Sequence, residues 1–148
     1  MVTPRTAEFS GRFTLAGEID RLFELFSPLG ERAWVPGWDP QLLHPPGAAW
    51  EPGLIFRTPE ETGDAVWIVT QLDRRAHEVE YHRMEPRRYV ARVSVACATL
   101  AGGGTEVRVR YAFVGLTAEG NAEVERMTAD AYREKLERWQ RWITASSA

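Results

Sequence analysis

The chain has 148 residues, 44% hydrophobic and 26% charged, the balance of a single soluble domain with a real core. A formal net charge of −3 offers no electrostatic case for nucleic acid or an anionic membrane surface. Cys97 is the only cysteine, which excludes an internal disulfide and fits a reducing, cytoplasmic setting, and no stretch is apolar and long enough to span a bilayer.

Residues 1–7 show no periodicity and read as a loose arm, so the single domain is expected over 8–145. Phe9, Gly11, Phe13 and Leu15 alternate with Glu8, Ser10, Arg12 and Thr14, which predicts a half-buried strand. Gly17 interrupts it. Ile19, Leu22, Phe23 and Phe26 then recur at helical spacing, a short amphipathic helix that Ser27-Pro28 ends. A second helical turn is expected within Leu29 to Trp34. Beyond it, Pro36, Gly37 and Pro40 predict an irregular loop that carries Trp34 and Trp38 and continues through His44-Pro45-Pro46-Gly47.

Strands resume at Leu54 to Thr58, with a tight turn at Gly63-Asp64. Val66 to Leu72, His77 to Arg83, Arg87 to Leu100 and Glu106 to Leu116 follow, rich in β-branched and aromatic residues. Tyr89, Ala91, Val93, Val95 and Cys97 share one face of the longest; Cys97 reads as a small buried hydrophobe. Gly102-Gly103-Gly104 joins two strands, so it predicts a hairpin turn; a phosphate cradle needs a helix directly after the glycines.

Ala118 to Ala145 reads as one helix, roughly 40 Å long at about 1.5 Å per residue. Val124, Met127, Ala131, Leu136, Trp139 and Ile143 mark its apolar face, with Arg126, Arg133, Arg138 and Arg141 opposite. Acids at its start (Glu119, Glu123, Glu125) and bases near its end (Lys135, Arg138, Arg141) suit the helix dipole. Lys135 is the only lysine, hence the only position for a Schiff base, and it reads as a solvated charge. A run of strands closed by a helix argues for an α+β fold, a curled antiparallel sheet with the long helix across its apolar face.

This order, and the segment Phe26-Ser27-Pro28-Leu29-Gly30-Glu31-Arg32-Ala33-Trp34-Val35-Pro36-Gly37-Trp38-Asp39-Pro40, resemble the helix-grip fold of the START-like superfamily. That superfamily includes polyketide cyclases and aromatases and birch-pollen-allergen-like proteins. The segment is similar to one in small bacterial members often labelled SRPBCC. Trp67-Ile68-Val69, Glu80-Tyr81, Thr105-Glu106-Val107 with Tyr111, and Leu116-Thr117 with Gly120 add to the likeness, which spans about Phe9 to Ile143. The resemblance implies a pocket between sheet and helix for a lipid, polyketide or other hydrophobic or aromatic molecule. Trp34, Trp38, Trp67, Val69, Tyr81, Val95, Tyr111, Met127, Ala131 and Tyr132 are the expected lining. Fold kinship does not fix chemistry.

Each candidate has a bland reading beside it. Trp34 and Trp38 either rim the pocket or plug one end of the core, with Glu31 and Asp39 as acceptors for their indole N–H groups. Tyr81, Tyr111, Arg83 and Gln71 are the polar strand residues that can look into a cavity. Tyr81, Tyr111 and Arg83 are the candidate catalytic set, suited to a cyclase- or dehydratase-like enzyme that polarises a carbonyl or holds a carboxylate. The alternative is that both phenols tie to backbone and Arg83 ends its strand in water. His44, His77 and His82 have no metal-ligand spacing, so no metal or cofactor is expected. Three functions remain open: a binder of a hydrophobic or aromatic molecule, a cyclase-like enzyme, and a chaperone-activator-like interaction module. A binder predicts an almost wholly apolar lining, an enzyme a perturbed ionisable group, and a module a collapsed interior. Nucleic acid and membrane insertion are not expected, and the chain is expected as a monomer or weak homodimer.

Overall fold

Alternating side chains set the strands. The structure, a computed structural model, describes residues 2–47 and 49–146. In chain order it holds β1 (Thr6–Leu15), α1 (Ile19–Glu24), a 3-10 turn (Gly30–Ala33), β2 (Gln41–His44), β3 (Ile55–Thr58), β4 (Ala65–Asp73), β5 (Glu78–Glu85), β6 (Tyr89–Thr99), β7 (Thr105–Gly115), α2 (Ala118–Arg126) and α3 (Ala129–Ser146). The seven strands form one antiparallel sheet in the order β1-β7-β6-β5-β4-β3-β2. The apolar sets predicted for β1, β6 and β7 all face inward. The sheet curls around α3, and this is a helix-grip fold. No helix among the described residues is long and apolar enough to cross a membrane.

Register explains where the interior is full and where it is not. Gly11, Val109, Val95 and Val79 make one row across the inner face. Gly11 lets α3 close on that row: a Cβ there would stand 2.6 Å from Leu136 Cδ1. The next row is Phe9, Tyr111, Val93, Tyr81 and Val69. The one after is Phe113, Ala91, Arg83, Trp67 and Phe56. Ala91 is the smallest side chain of that row, between Phe113 and Arg83, and it leaves space above it.

Three expectations need correction. The long helix is two helices: Met127 is extended (ψ 138°), and Thr128 Oγ1 caps α3 by accepting from Ala131 N at 3.1 Å. The irregular loop contains β2, an exposed edge strand paired with β3. The arm over 1–7 is not loose where described. β1 begins at Thr6, Asn121 bonds both Thr3 O (3.0 Å) and Arg5 N (2.9 Å), and Arg5 pairs with Glu125 at 2.8 Å. Met1 lies outside the described residues.

Candidate functional site

The loop after α1 is latched before any cavity forms. Ser27 Oγ donates to Glu24 O (2.7 Å) and accepts from Gly30 N (2.9 Å). Only glycine fits at 30, where a Cβ would lie 2.0 Å from Glu24 O. Trp34 Nε1 then donates to Leu25 O, and Trp38 Nε1 to Pro28 O, each at 2.7 Å. Backbone carbonyls, not Glu31 or Asp39, therefore accept from both indoles. The two tryptophans part company here. Trp34 is buried edge-on against Phe26 and Trp139, whereas Trp38 packs against Phe56 and Trp67 and presents a face to open space.

That space is a cavity of about 500 Å³ between the Phe113–Trp67 row, the 35–39 loop and the first half of α3. Of the expected lining, Trp38, Trp67, Tyr111, Met127, Ala131 and Tyr132 border it. Ala131 stands at its exposed rim. Trp34, Val69, Tyr81 and Val95 do not border it. Val95 sits two rows deeper, and Val69 beyond Tyr81. Gln71, displaced by a bulge in β4, is exposed on the outer face.

The catalytic candidates separate in the same way. Tyr81 donates to Phe26 O (2.7 Å) and accepts from Trp50 Nε1 (2.9 Å), so its hydroxyl is spent on packing. Tyr132, stacked on Phe9, donates to Val109 O at 2.7 Å. Tyr111 has no hydrogen-bond partner for its hydroxyl among the described residues. Burial, and then the charge of Glu31, push its pKa well up, so it stays a donor. Arg83 is not in water at a strand end. It lines the cavity, its side chain 13% exposed, pairing with Glu85 (2.5 Å) and Glu60 (3.1 Å) under the Trp67 ring. Glu60 also accepts from Thr58, which in turn accepts from Trp67 Nε1. One wall of the cavity is thus a fixed polar chain.

Two groups were missed at the sequence level. Lys135 is half-buried, not a fully solvated charge: its Nζ lies 3.8 Å from the centroid of Tyr111 and 5.7 Å from that of Trp139, on the cavity wall. It has no carboxylate partner among the described residues. Burial and then Arg83 and Arg138 push its pKa down to about 8 against the pull of Glu31. Glu31 makes no ion pair or side-chain hydrogen bond among the described residues, and burial pushes its carboxyl well up. The spacing of Ala131, Lys135 and Trp139, four residues apart on one helical face, was the available signal. Arg138, expected on the polar face, borders the cavity. Its lining is therefore aromatic with a cationic stripe, not almost wholly apolar as a plain binder predicts.

His77 pairs with Asp20, His82 with Thr70, and His44 is exposed on β2; no group of three potential metal ligands occurs among the described residues. Cys97 is buried, its thiol pushed up to about 12 by burial.

No family model and no curated protein sequence matches the chain. Solved structures do match. Norcoclaurine synthase from Thalictrum flavum, in complex with dopamine and hydroxybenzaldehyde, aligns at TM-score 0.65 and 11% identity over 95% of this chain and 87% of that one. Ginseng major latex-like protein 151 from Panax ginseng aligns at 0.69 and 16%, covering 95% and 96%. An uncharacterised protein from Rhizobium leguminosarum aligns at 0.67 and 17%, covering 95% of each. At such identities the likeness concerns architecture: the chain shares the helix-grip fold of these structures.

Proposed function

We propose that this protein binds a hydrophobic or aromatic small molecule, of lipid or polyketide type, in the cavity between the sheet and α3. The observation that carries this reading is a 500 Å³ hollow walled by Trp38, Trp67, Tyr111 and Tyr132, within the size range of ligand pockets. A collapsed interior, as an interaction module would have, does not fit that volume. The aromatic ligands held by norcoclaurine synthase in a similar fold favour the same class of guest. The lining also argues for a flat molecule, since Trp38 and Trp67, the latter backed by the stacked Phe56 ring, set rigid aromatic walls around one slot.

A second reading, a cyclase- or dehydratase-like enzyme, is favoured by the polar part of the lining: the free Tyr111 hydroxyl, the paired Arg83 and Lys135, whose pKa is pushed down to about 8 by burial, border the same cavity. Tyr81 is withdrawn from that set. The test of the binding reading is Ala131→Trp, which places an indole at the rim. Uptake of an uncharged naphthalene-based fluorescent probe is expected to fall at least tenfold while circular dichroism stays unchanged. Undiminished uptake by the folded variant would reject the cavity as the site.

A further inference from the structure

We infer that Lys135 is an amine nucleophile that captures an aromatic aldehyde or ketone bound in the cavity as an imine. The inference rests on the cavity reading above and deepens it by naming the reacting group of the guest.

Five observations converge. Lys135 is the only lysine in the chain, and it is half-buried on the cavity wall. Its Nζ lies over the Tyr111 ring face, 3.8 Å from the centroid, and the side chain lines the cavity. No carboxylate pairs with it among the described residues, whereas the surface arginines commonly have one. The Tyr111 hydroxyl beside it is unpartnered and protonated, a donor for a carbonyl oxygen.

The charged groups around Nζ set its protonation. Arg83 from β5 and Arg138 from α3 disfavour the ammonium; Glu31 from the 3-10 turn favours it, as do the two ring faces. Glu60 is engaged by Arg83, and Asp39 lies across the cavity on its loop. With its pKa pushed down to about 8, about a tenth of Lys135 is neutral at pH 7, against roughly one part in three thousand for an ordinary lysine. Desolvation and neighbouring cations are how a lysine amine is made nucleophilic near neutrality.

The step balances without a further reactant. The Nζ lone pair attacks the carbonyl carbon, and the π electrons move to oxygen. One nitrogen proton is transferred to that oxygen, with the Tyr111 hydroxyl donating a hydrogen bond to it throughout. The carbinolamine then loses its hydroxyl with the second nitrogen proton as water, leaving a carbon–nitrogen double bond. Water reverses the step and releases the carbonyl compound.

The test uses the full chain, 6-methoxy-2-naphthaldehyde and sodium cyanoborohydride, which delivers hydride to the iminium carbon and fixes the link as a secondary amine. Peptide mass mapping reads modification of Lys135 against the chain's α-amino group. Lys135 is expected to be modified at least threefold faster than the α-amino group at pH 7, and its rate to level off above about pH 8. Naphthalene as competitor should slow it at least fivefold, and Tyr111→Phe should lower its limiting rate at saturating aldehyde. Lys135→Arg should lose the adduct at that peptide, leaving the α-amino group as the modified site. If Lys135 trails the α-amino group while the probe still binds, the inference fails and the cavity reading stands. If the probe does not bind and Lys135 trails, both fail.

Discussion

Tyr81 and Tyr111 are near-equivalents by position and opposites by environment. They lie in one row of the inner face, two strands apart, with Val93 between them, and both are buried. Around Tyr81 the chain supplies every partner: a carbonyl from Phe26, an indole N–H from Trp50, and rings from Phe56 and Trp67. Around Tyr111 it supplies rings and an ammonium but nothing for the hydroxyl. A buried polar atom costs stability unless it is satisfied. The first region is thus built to be complete by itself. The second leaves its hydroxyl open to the cavity, where solvent or a guest can reach it.

The tryptophans sharpen the contrast with the largest expected effect. Trp34→Ala removes a buried indole from the finished region and is expected to cost about 3–5 kcal/mol in denaturant unfolding, with probe uptake by the surviving fold little changed. Trp38→Ala should do the reverse, weakening uptake about tenfold for a smaller loss of stability. Equal stability losses would erase the distinction between the two.

The phenols come next. Tyr81→Phe strands the Trp50 N–H and the Phe26 carbonyl, an expected loss of about 1–3 kcal/mol. Tyr111→Phe strands nothing and should change stability by less than about 0.5 kcal/mol. A matching loss at Tyr111 would mean its hydroxyl has a structural duty.

A further effect depends on pH. The folded protein binds the Lys135 proton less tightly than the unfolded chain does, with the pKa falling from 10.5 to about 8. The ammonium therefore costs stability below pH 8, and the cost fades as pH rises toward 10.5. Lys135→Met is expected to raise stability at pH 7 by about 1–2 kcal/mol, the linked value discounted for partial solvent screening. The gain should shrink between pH 8 and 10.5. A gain that is flat with pH would place the effect in packing.

Much of the fold was legible because strand alternation is a local signal: β1, β6 and β7 face as their residues alternate. The helix break was less so, since neither proline nor glycine marks it. Thr128 followed by Asp130 is a capping pattern that the continuing apolar stripe through Met127 and Ala131 masked. β2 is four residues long, exposed throughout and set among prolines, so it has no periodicity to read. Six of the ten expected lining residues border the cavity; the others were misplaced because alternation reports a face and not a row. Val95 and Tyr111 share the concave side, yet only pairing register puts the Val95 row beneath Leu136. Lys135 was misread from its charge, which in a buried stripe is the unusual feature and not the ordinary one.

The interruption at Met127 has a mechanical consequence. A continuous rod could widen the mouth only by shifting along its whole length, dragging its contacts with β1 and β7. Severed there, α3 is joined to α2 by two residues that both border the opening. The break thus lies at the mouth itself, so the direction in which α3 leaves the opening is set by the backbone torsions of Met127 and Thr128.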